Sequence, residues 1–397
     1  MIERRHRFIL HSDLNNFYAS VECKYNPKIK DKAVIVIGDE KLRHGVVLAK
    51  NYIAKKFGIN TGDTVYEAQN KCGKDVQLVK VTARLPLYEQ ISRQVQEIYR
   101  KHTDNVEMFG IDEAWLDITP TVGSYTEALE IAESIRLEVK NTLGLTVSIG
   151  VSYNKIFAKL GSDLKKPDAI TLITRGNFRD RIWSLPVNSL LLVGRQTTKK
   201  LEKMNILTIG DLAQTDVRLL ERVFGVNGKK LWNYANGLDT DRVKSILDKD
   251  EVKSIGNSTT TPRDLVTMLD IETVFYNLAE QVCTRLKAKK LYCNEIQIFV
   301  KNNKLESIEH QTKLPYPTNT SADVGHYAIE LFNKRCNLDI PIRALGIRLR
   351  DFSENLQTSL FGDGAKLEKN EKIDITIDNI RKKYGNQAIM RGSNLWF

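Results

Sequence analysis

The spacing of apolar residues changes several times over the first 175 positions of the chain. Apolar positions that recur every three or four residues predict helices at 50–57, 85–103 and 127–142. Short apolar runs bounded by polar residues predict strands at 6–12, 33–37, 106–109, 114–118 and 146–151. Strands that alternate with helices in this manner favour an α+β fold built on a mixed sheet.

A different pattern follows residue 175. Short helices joined by glycine turns are predicted over 185–240, and the polar, charged run Asp239–Lys253 has the composition of a linker. Beyond it, a helix is predicted at 271–287, strands at 296–301 and 345–350, and a short helix at 373–383. Most of the residues after 350 are polar.

The predicted strand at 345–350 has two contrasting faces. Its apolar side chains alternate with two arginines, so that the two sets point to opposite sides of a sheet. The apolar set is Leu345, Ile347 and Leu349, and the basic set is Arg348 and Arg350. Such a sheet packs its apolar face on helices, and its basic face can lie along a nucleic-acid backbone. The alternative is an ordinary solvated sheet face.

Carboxylates gather at two predicted strand ends. Asp112 and Glu113 lie between two predicted strands, and Asp13 ends the first strand of the chain. Neighbouring carboxylates repel each other, so a cluster of them is costly unless cations or protons neutralise it. Oxygen ligands alone suit Mg²⁺ or Mn²⁺ better than zinc. If folding brings the three side chains together, they would form a two-metal site for phosphoryl transfer; the alternative for an isolated acidic pair is a solvated turn.

The net charge of +11 is concentrated in the middle and late parts of the chain. Residues 175–350 contain 28 Lys and Arg against 20 Asp and Glu, a net charge of +8. A basic region next to an acidic metal site suits a polyanionic partner, which is bound at one place and processed at another. A generally basic, soluble surface is the alternative. The length of 397 residues allows roughly two to four domains.

Composition argues against several classes of protein. No apolar run approaches the length of about 18 residues that a membrane helix needs. The apolar run after the basic N-terminus is short, and so we expect no signal peptide. The five cysteines are scattered without a CxxC pair, which argues against a zinc site and a disulfide framework and favours a reducing cytosol.

Four segments of the chain resemble, in the correct order, the motifs of Y-family DNA polymerases, which are translesion enzymes. Two resemble the metal motifs, one the fingers motif and one the last palm motif. In chain order they are Asp13–Glu22, Ala49–Gly58, Ile111–Asp117, and Ser148–Lys159 running on to Lys165–Pro167. The resemblance covers nearly the whole chain. The segment Lys253–Pro262 and the polar tail resemble most the UmuC-like polymerases of Gram-positive bacteria and their mobile elements.

The resemblance implies an α+β multidomain protein with the right-hand architecture of polymerases. A ferredoxin-like palm, small fingers, a helical thumb with helix-hairpin-helix elements and an α/β little finger are expected. The implied boundaries are 1–19 and 81–174 for the palm, 20–80 for the fingers, 175–239 for the thumb, 240–252 for a linker, 253–350 for the little finger and 351–397 for a tail.

The resemblance also implies the metal ligands. Asp13 and Asp112 would bridge two Mg²⁺ ions, with Mn²⁺ as the substitute, and Glu113 would bind the ion on the primer side. The backbone carbonyl of Leu14 would add a ligand on the nucleotide side. For Asp117, a structural role and a role behind the ligands stay open.

The nucleotide contacts follow from the same motifs. Tyr52, Lys55 and Lys166 match the triphosphate contacts of the family, although an arginine is common at the position of Lys55, and lysine cannot form the same bidentate fork. Tyr18 matches the steric gate, a ring that clashes with a ribose 2′-hydroxyl, and Phe17 lies beside it. Asn15 stands where many relatives carry a second aspartate. Lys155 is a weaker candidate for a triphosphate contact and is expected rather on the palm surface.

The expected DNA contacts lie later in the chain. A helix-hairpin-helix element holds a phosphate by backbone N–H groups, and Gly225, Gly228 and Lys229 match it well. An earlier copy at 192–201 has Gln196 in place of the second glycine, so that a plain helix pair is its alternative. Arg348 and Arg350 would face DNA from the little finger.

The tail contains a segment that resembles the sliding-clamp pentapeptide of bacterial polymerases. Gln357, Leu360 and Phe361 carry the resemblance, and the last two are paired apolar anchors in a polar surround. The expected partners are primer-template DNA, a deoxynucleoside triphosphate (dNTP), the bacterial sliding clamp and, further, a recombinase filament or an accessory subunit.

The implied function is error-prone translesion synthesis by a DNA-directed DNA polymerase, as part of bacterial DNA repair and the SOS response. The implied location is the cytoplasm. Two other readings stay open. One is a catalytically weak DNA-binding accessory component of a mutasome, and the other is a different palm-type enzyme such as a nucleotide cyclase. Metal-dependent nucleotide incorporation would exclude the accessory component. Stable, salt-sensitive binding to primer-template DNA would separate the polymerase from a cyclase.

Overall fold

The computed structural model describes residues 6–39, 43, 45–73, 76–245, 247–248, 251–354, 364–385 and 388–392. The chain divides into two compact units. The N-terminal unit comprises Met1–Gly38 and Val46–Lys249, and the C-terminal unit comprises Asp39–Gly45 and Asp250–Phe397. In the described part of the chain, no helix combines the length and the apolar composition that crossing a bilayer requires.

The N-terminal unit contains eight named strands and eleven helices among its described residues. The strands are β1 (Ile9–Leu14), β2 (Ala33–Ile37), β3 (Val47–Lys50), β4 (Leu78–Thr82), β5 (Val106–Met108), β6 (Glu113–Asp117), β7 (Val147–Ser152) and β8 (Ile170–Ile173). The helices are α1 (Phe17–Tyr25), α2 (Tyr52–Lys56), α3 (Val65–Cys72), α4 (Leu85–Arg100), α5 (Tyr125–Leu143), α6 (Lys155–Leu164), α7 (Phe178–Ile182), α8 (Arg195–Glu202), α9 (Ile209–Gln214), α10 (Val217–Phe224) and α11 (Val226–Ala235).

A five-stranded sheet of order β5-β6-β1-β7-β8 is the centre of this unit. The strand β1 lies in the middle and is buried along its whole length. Leu10 and Leu14 contribute to the core that α4 and α5 form on one face, whereas Ile9 packs with Ala158 of α6 on the other face. His11 and Asp13 share the face of Ile9 because side chains alternate along a strand.

A smaller sheet of order β3-β2-β4 has its own apolar core with α2 and α3. The strand β2 is entirely buried, as its unbroken apolar run predicts. Asn51 joins this sheet to α2: its Oδ1 accepts hydrogen bonds from the backbone N–H of Val34 (3.1 Å) and of Ala54 (2.9 Å). The second bond caps the N-terminus of α2.

The helices α7 to α11 enclose a third core. The turn between α10 and α11 is made by Gly225, whose φ of +60° favours glycine. Gly228, in the first turn of α11, lies so close to α10 that a Cβ atom there would be 2.2 Å from the carbonyl oxygen of Leu220. The two helices therefore approach each other as a tight hairpin.

The C-terminal unit is a four-stranded antiparallel sheet with helices on one face. Its elements are β9 (Ser254–Leu265), α12 (Met268–Ala288), β10 (Tyr292–Asn302), β11 (Ser307–Thr318), α13 (Ser321–Arg335), β12 (Ile342–Ser353) and α14 (Gly364–Tyr384), and the strand order is β11-β10-β12-β9. The predicted faces of β12 are confirmed: its leucine and isoleucine side chains pack in the core with α12 and α13, whereas Arg348 and Arg350 are exposed.

The helix α14 is longer than the predicted helix at 373–383, and it is anchored on α12 and α13. Asp374 accepts hydrogen bonds from the backbone N–H and the hydroxyl of Ser321, both at 2.7 Å, and pairs with Lys287 at 3.1 Å. Glu280 pairs with Arg381 at 2.8 Å. These polar contacts hold the helix on the unit, so residues 364–385 are part of the fold.

Part of the segment predicted as a linker lies on the five-stranded sheet. Val243 is buried in a small core with Ile9 and Trp115. The backbone N–H of Lys244 donates a hydrogen bond of 3.0 Å to Glu107. Residues 240–245 therefore belong to the N-terminal unit as a strap across its sheet.

Candidate active site

The pairing of β1 with β6 brings the predicted carboxylates together. The antiparallel register places Asp13 directly opposite Glu113, and the backbone N–H of Leu14 donates a hydrogen bond of 3.0 Å to the carbonyl of Asp112. Because directly opposite residues on one face of a sheet are neighbours, the two strand ends build one acidic cluster from segments a hundred residues apart.

Two lysines neutralise this cluster. Lys166 Nζ is 2.8 Å from Asp13 Oδ2 and 2.9 Å from Asp163 Oδ1. Lys159 Nζ is 2.8 Å from Glu113 Oε1 and 3.6 Å from Asp13 Oδ2. Lys166 was predicted to be a site residue, whereas Lys159 was given no role, although it ends the fourth motif. The spacing of Lys159 and Asp163 by four residues on α6 was the available signal.

Burial shifts the pKa values of the carboxylates in this cluster. Burial raises the pKa of Asp13 to about 7, although Lys166 opposes the shift. Burial and the negative charge of Glu113 raise the pKa of Asp112. Burial also acts to raise the pKa of Glu113, but His11 and Lys159 outweigh it and hold this pKa below its usual range. A cation added between these carboxylates would favour their ionised forms.

The donor set fits hard divalent cations by its chemistry. All of the candidate side chains offer oxygen, the ligand that Mg²⁺ and Mn²⁺ prefer. As placed, Asp13 and Glu113 are paired with lysines, and no three acidic, histidine or cysteine side chains of the described residues converge as a metal-ligand set. Lys166 has Asp163 as a second partner, so it can keep an acidic contact when Asp13 takes a metal ion.

His11 lies behind the carboxylates and was not predicted to be a site residue. Its Nδ1 is 2.8 Å from the hydroxyl of Ser162, and its Nε2 is 3.6 Å from Glu113 Oε2. Complete burial lowers the pKa of His11 to about 4, which leaves the ring neutral at physiological pH. The histidine faces Trp115 across the strand pair.

Tyr18 and Phe17 begin α1, immediately after the acidic end of β1. Phe17 is buried in the core, and Tyr18 is partly exposed. The ring of Tyr18 stacks on that of Tyr88, with centroids 4.2 Å apart and an interplanar angle of 15°. Burial, followed by the negative charges of Asp112 and Glu89, raises the pKa of Tyr18, and so the phenol lies near the acidic cluster.

The predicted triphosphate contacts lie on α2 and after α6. Burial raises the pKa of Tyr52, and the next influences on it are the charges of Lys166 and Asp13. Lys55 is exposed one turn further along α2, with its Nζ 5.9 Å from the centroid of the Tyr52 ring. Lys166 thus contacts Asp13, Tyr52 lies within electrostatic range of both, and Lys55 is exposed on the other side of the Tyr52 ring.

The residues whose roles were left open have structural contacts. Asp117 lies opposite Ile9, at the other end of β6, and accepts a hydrogen bond of 3.0 Å from the backbone of Thr119. Asn15 is buried and bonds the backbone N–H of Asp168 (2.9 Å). The expectation that Lys155 lies on the surface is wrong: this side chain is largely buried and pairs with Glu107 at 2.6 Å, beneath the strap of residues 240–245.

The predicted DNA contacts fall in both units. Gly225 and Gly228 form the α10–α11 turn, and Lys229 is exposed beside it. In the C-terminal unit, Arg348 lines an open groove of about 530 Å³ on the polar face of the sheet. Arg350 donates a hydrogen bond of 3.1 Å to Gln311 on the same face. The clamp-like residues Gln357, Leu360 and Phe361 lie outside the described residues.

Three family models match the chain. The model of the impB/mucB/samB family matches residues 12–163, and the model of that family's C-terminal domain matches residues 252–360. The model described as the DNA polymerase-iota thumb domain matches residues 189–239. The second and third matches cover most of the C-terminal unit and the α8–α11 region.

Curated relatives and a solved structure agree with these models. The chain is 46% identical over 389 residues to DNA polymerase IV of Acetivibrio thermocellus, with 97% of each chain covered. It is 35% identical over 393 residues to DNA polymerase IV of Clostridium acetobutylicum, again with 97% of each covered. A Y-family DNA polymerase chimera of Dbh and Dpo4 shares the fold, with a TM-score of 0.78, 23% identity, and coverage of 88% of this chain and 100% of the other.

The predicted family and the right-hand polymerase fold are therefore confirmed. The relatives named above are called DNA polymerase IV, and the closer assignment to the UmuC-like branch stays a prediction. Relatives at this identity over nearly the full length leave no room for a nucleotide cyclase. The chain belongs to the impB/mucB/samB family, that is, to the Y-family DNA polymerases.

Proposed function

We propose that this DNA-directed DNA polymerase joins a dNTP to a primer 3′-hydroxyl at the cluster of Asp13, Asp112 and Glu113. The observation that carries the proposal is the register of β1 and β6, which sets Asp13 opposite Glu113, with Lys166 on Asp13. Preorganised charges of this kind favour a reaction in which negative charge moves between phosphate oxygens.

Divalent metal ions are a general requirement of the family. In this chain Asp13, Asp112, Glu113 and the backbone carbonyl of Leu14 would hold the two Mg²⁺ ions, or Mn²⁺ in their place. When bound, such ions would lower the pKa of the primer hydroxyl and neutralise the negative charge of the triphosphate. Burial raises the pKa of Asp13 although Lys166 lies beside it, so a metal ion at this carboxylate would stabilise its ionised form.

The chain's own residues bind and orient the nucleotide. Lys166 and Tyr52 lie at the acidic cluster and would contact the triphosphate, with Lys55 on its solvent side. The ring of Tyr18 would meet the sugar and exclude a 2′-hydroxyl, so that deoxynucleotides are the substrate. This role is supported by the place of Tyr18 at the start of α1, directly after the end of β1.

The domains are proposed to follow the cores of the structure. The five-stranded sheet corresponds to a palm of 1–19 and 81–174, and the sheet of β2 to β4 corresponds to fingers of 20–80. The helices α7 to α11 fit a thumb of 175–239, and β9 to β12 fit a little finger of 253–350. The segment 240–252 would link them, although its first residues are fastened to the palm sheet.

DNA would be held by sequence-independent contacts. The α10–α11 hairpin, with Gly225, Gly228 and Lys229, would offer backbone N–H groups to a phosphate. Arg348 and Arg350 would follow the backbone from the polar face of the C-terminal sheet. Gln357, Leu360 and Phe361 would dock on the sliding clamp, which would offset low processivity through effective concentration.

The biological setting is proposed from the family. Error-prone synthesis past damaged bases, as part of DNA repair and the SOS response in the cytoplasm, fits a polymerase of this family. A recombinase filament or an accessory subunit would be a further partner.

Primer extension tests the proposal. Wild-type protein with Mg²⁺ and the four dNTPs should extend a primer on an undamaged template and insert opposite an abasic site. Asp112→Asn should abolish both reactions, while Asp117→Asn, an equal change away from the cluster, should keep them. Extension by Asp112→Asn at the wild-type rate would refute the assigned site.

The non-catalytic reading makes the opposite prediction. A mutasome accessory component would bind primer-template without extending it under any metal condition. The intact carboxylates Asp13, Asp112 and Glu113 argue against this reading, and the relatives named DNA polymerase IV do not favour it.

A further inference from the structure

A buried charged network lies beneath the ring of Tyr18. Glu22, one turn further along α1, is almost completely buried. Its carboxylate accepts hydrogen bonds from Arg84 Nε (3.0 Å), from Arg84 Nη2 (2.6 Å) and from the hydroxyl of Tyr88 (2.6 Å). The two bonds from one guanidinium form a planar fork, which fixes the orientation of the carboxylate.

This network fixes the ring on which Tyr18 rests. Tyr88 is fully buried in the first turn of α4, and its hydroxyl is held by Glu22. Its ring face stacks on Tyr18 at 4.2 Å and 15°, and Phe17 lies 6.2 Å away at a tilt of 60°. Tyr88 is thus constrained at its hydroxyl end by a charge and along its ring by packing, and Tyr18 takes its own orientation from it.

Burying the Glu22 carboxylate at this position is energetically unfavourable compared with an apolar side chain. A buried carboxylate costs several kcal/mol of desolvation, and an apolar residue of similar size usually packs at least as well. The side chain of Arg84 is about half exposed (49%), so it could be hydrated without Glu22. A buried charge that contributes little net stability can still specify one conformation, and the conformation specified here is that of Tyr88.

We propose that Glu22 and Arg84 are positioning residues for sugar selection, which act on Tyr18 through Tyr88. The proposal rests on the role of Tyr18 as steric gate given above. A gate of this kind selects by a clash with a single oxygen atom, and the clash counts only if the ring cannot yield. If the edge of the Tyr18 ring moves by about 1 Å, the clash with the 2′-hydroxyl is relieved and a ribonucleotide can enter. Displacements of this size change the rate of an enzymatic reaction by about 100-fold.

The test is the ratio of kcat/KM for a dNTP to kcat/KM for the matching ribonucleotide. Glu22→Gln keeps the volume of the side chain but loses the charge that both partners use. Tyr88→Phe keeps the stacked ring and removes only its tether to Glu22. Each variant should lower the ratio by about tenfold, the factor that corresponds to one hydrogen bond to a charged group.

The ratio separates positioning from a loss of stability. A variant that merely unfolds part of the enzyme lowers both kcat/KM values alike and leaves their ratio unchanged. Glu138→Gln is the control, because Glu138, on α5, forms an ion pair with Lys101 at the end of α4, away from the stacked rings. Its ratio should equal that of wild type.

Tyr18→Ala distinguishes failure of the positioning network from failure of the gate. If Tyr18→Ala removes discrimination while Glu22→Gln and Tyr88→Phe keep the wild-type ratio, the network has no role in sugar selection and the proposal is wrong. If Tyr18→Ala itself leaves the ratio unchanged, Tyr18 is not the gate and the inference falls with it. A graded loss, largest in Tyr18→Ala, is the expected result.

Discussion

Each charged residue at the acidic cluster is defined by what neutralises it. Asp13 and Glu113 share Lys159, and Asp13 also has Lys166. The carboxylates could be predicted from sequence, because each lies beside an apolar strand run that fixes its place on the sheet. Glu22 could not, because its partners Arg84 and Tyr88 come from another element whose packing no local pattern reveals. For Lys159 the only local signal was its spacing from Asp163 on α6, which does not reveal the contact with Glu113.

Lys55 stands at a position where an arginine is common in the family. A lysine contacts a phosphate as a point charge, whereas an arginine forms a bidentate fork. Lys55→Arg should therefore lower KM for the dNTP by roughly threefold to tenfold, the range of one added hydrogen bond of ordinary strength at an exposed position. The neighbouring change Lys56→Arg, also on the exposed surface of α2, is the control. Equal KM values for both variants and wild type would remove Lys55 from the triphosphate contacts.

Elements were predicted where their periodicity was strong. The helix α4 and the strands β2 and β7 lie within a few residues of their predicted bounds. The strands β9 and β11 were missed because their alternation consists mainly of threonine, serine and charged residues, which give no apolar signal. The helix α13 was missed although Thr320 caps it by accepting from the N–H of Asp323, and although Val324, Ala328 and Leu331 recur at helical spacing.

The α10–α11 hairpin depends on one close approach. A Cβ at position 228 would overlap the backbone of Leu220, and so Gly228→Ala should separate the two helices at a cost of about 1–3 kcal/mol, as in other overpacked sites. Affinity for primer-template DNA should fall by roughly tenfold as the hairpin loses its shape. Thermal unfolding and a binding titration at fixed salt measure the two effects.

Gly194→Ala is the control for that change. Gly194 precedes α8, in the earlier copy of the motif, and a Cβ there meets no atom within 4 Å. Its variant should keep the affinity of wild type and lose only the advantage of glycine over alanine at this N-cap, about 0.5–1 kcal/mol. If Gly228→Ala behaves in the same way, the close packing of α10 and α11 is not needed for DNA binding.

The N-terminus of α12 carries a pH-dependent contact. The Arg263 guanidinium, 2.6 Å from Asp270, lowers the pKa of this carboxyl to about 2 from the ordinary 3.8. Because the pKa is lower in the folded chain, the contribution to the free energy of unfolding is complete above about pH 4 and is lost as the pH falls through 2. Asp270→Asn should cost about 1–2 kcal/mol at neutral pH, after allowance for the exposure of Arg263.

Thermal unfolding from pH 7 to pH 3 checks this sign. The difference in unfolding free energy between wild type and Asp270→Asn should be constant above pH 4 and shrink below it. Asp339→Asn, an equivalent change at an exposed loop of the same unit, should show no difference at any pH. A difference that grows on acidification would contradict the assignment.

The whole molecule carries its excess of positive charge where DNA is expected. Residues 175–350 hold +8 of the net +11, and Arg348 and Arg350 are exposed on one sheet face. If each arginine contacts a phosphate, changing both to alanine should make the negative slope of log K against log salt shallower by about 2. Lys334→Ala on α13, whose lysine pairs with Glu330, should leave the slope unchanged. An unaltered slope in the double variant would place DNA elsewhere.

The number of metal ions at the acidic cluster shows whether Asp13, Asp112 and Glu113 form a two-metal polymerase site. Mn²⁺ is titrated into the protein with primer-template that ends in a dideoxynucleotide and with the next dNTP, and bound Mn²⁺ is counted by electron paramagnetic resonance. Two Mn²⁺ per wild-type ternary complex are expected beyond those bound to DNA alone, one of them arriving with the dNTP, and at most one is expected with Asp13→Asn. Equal counts for wild type and Asp13→Asn would contradict a metal site at the end of β1.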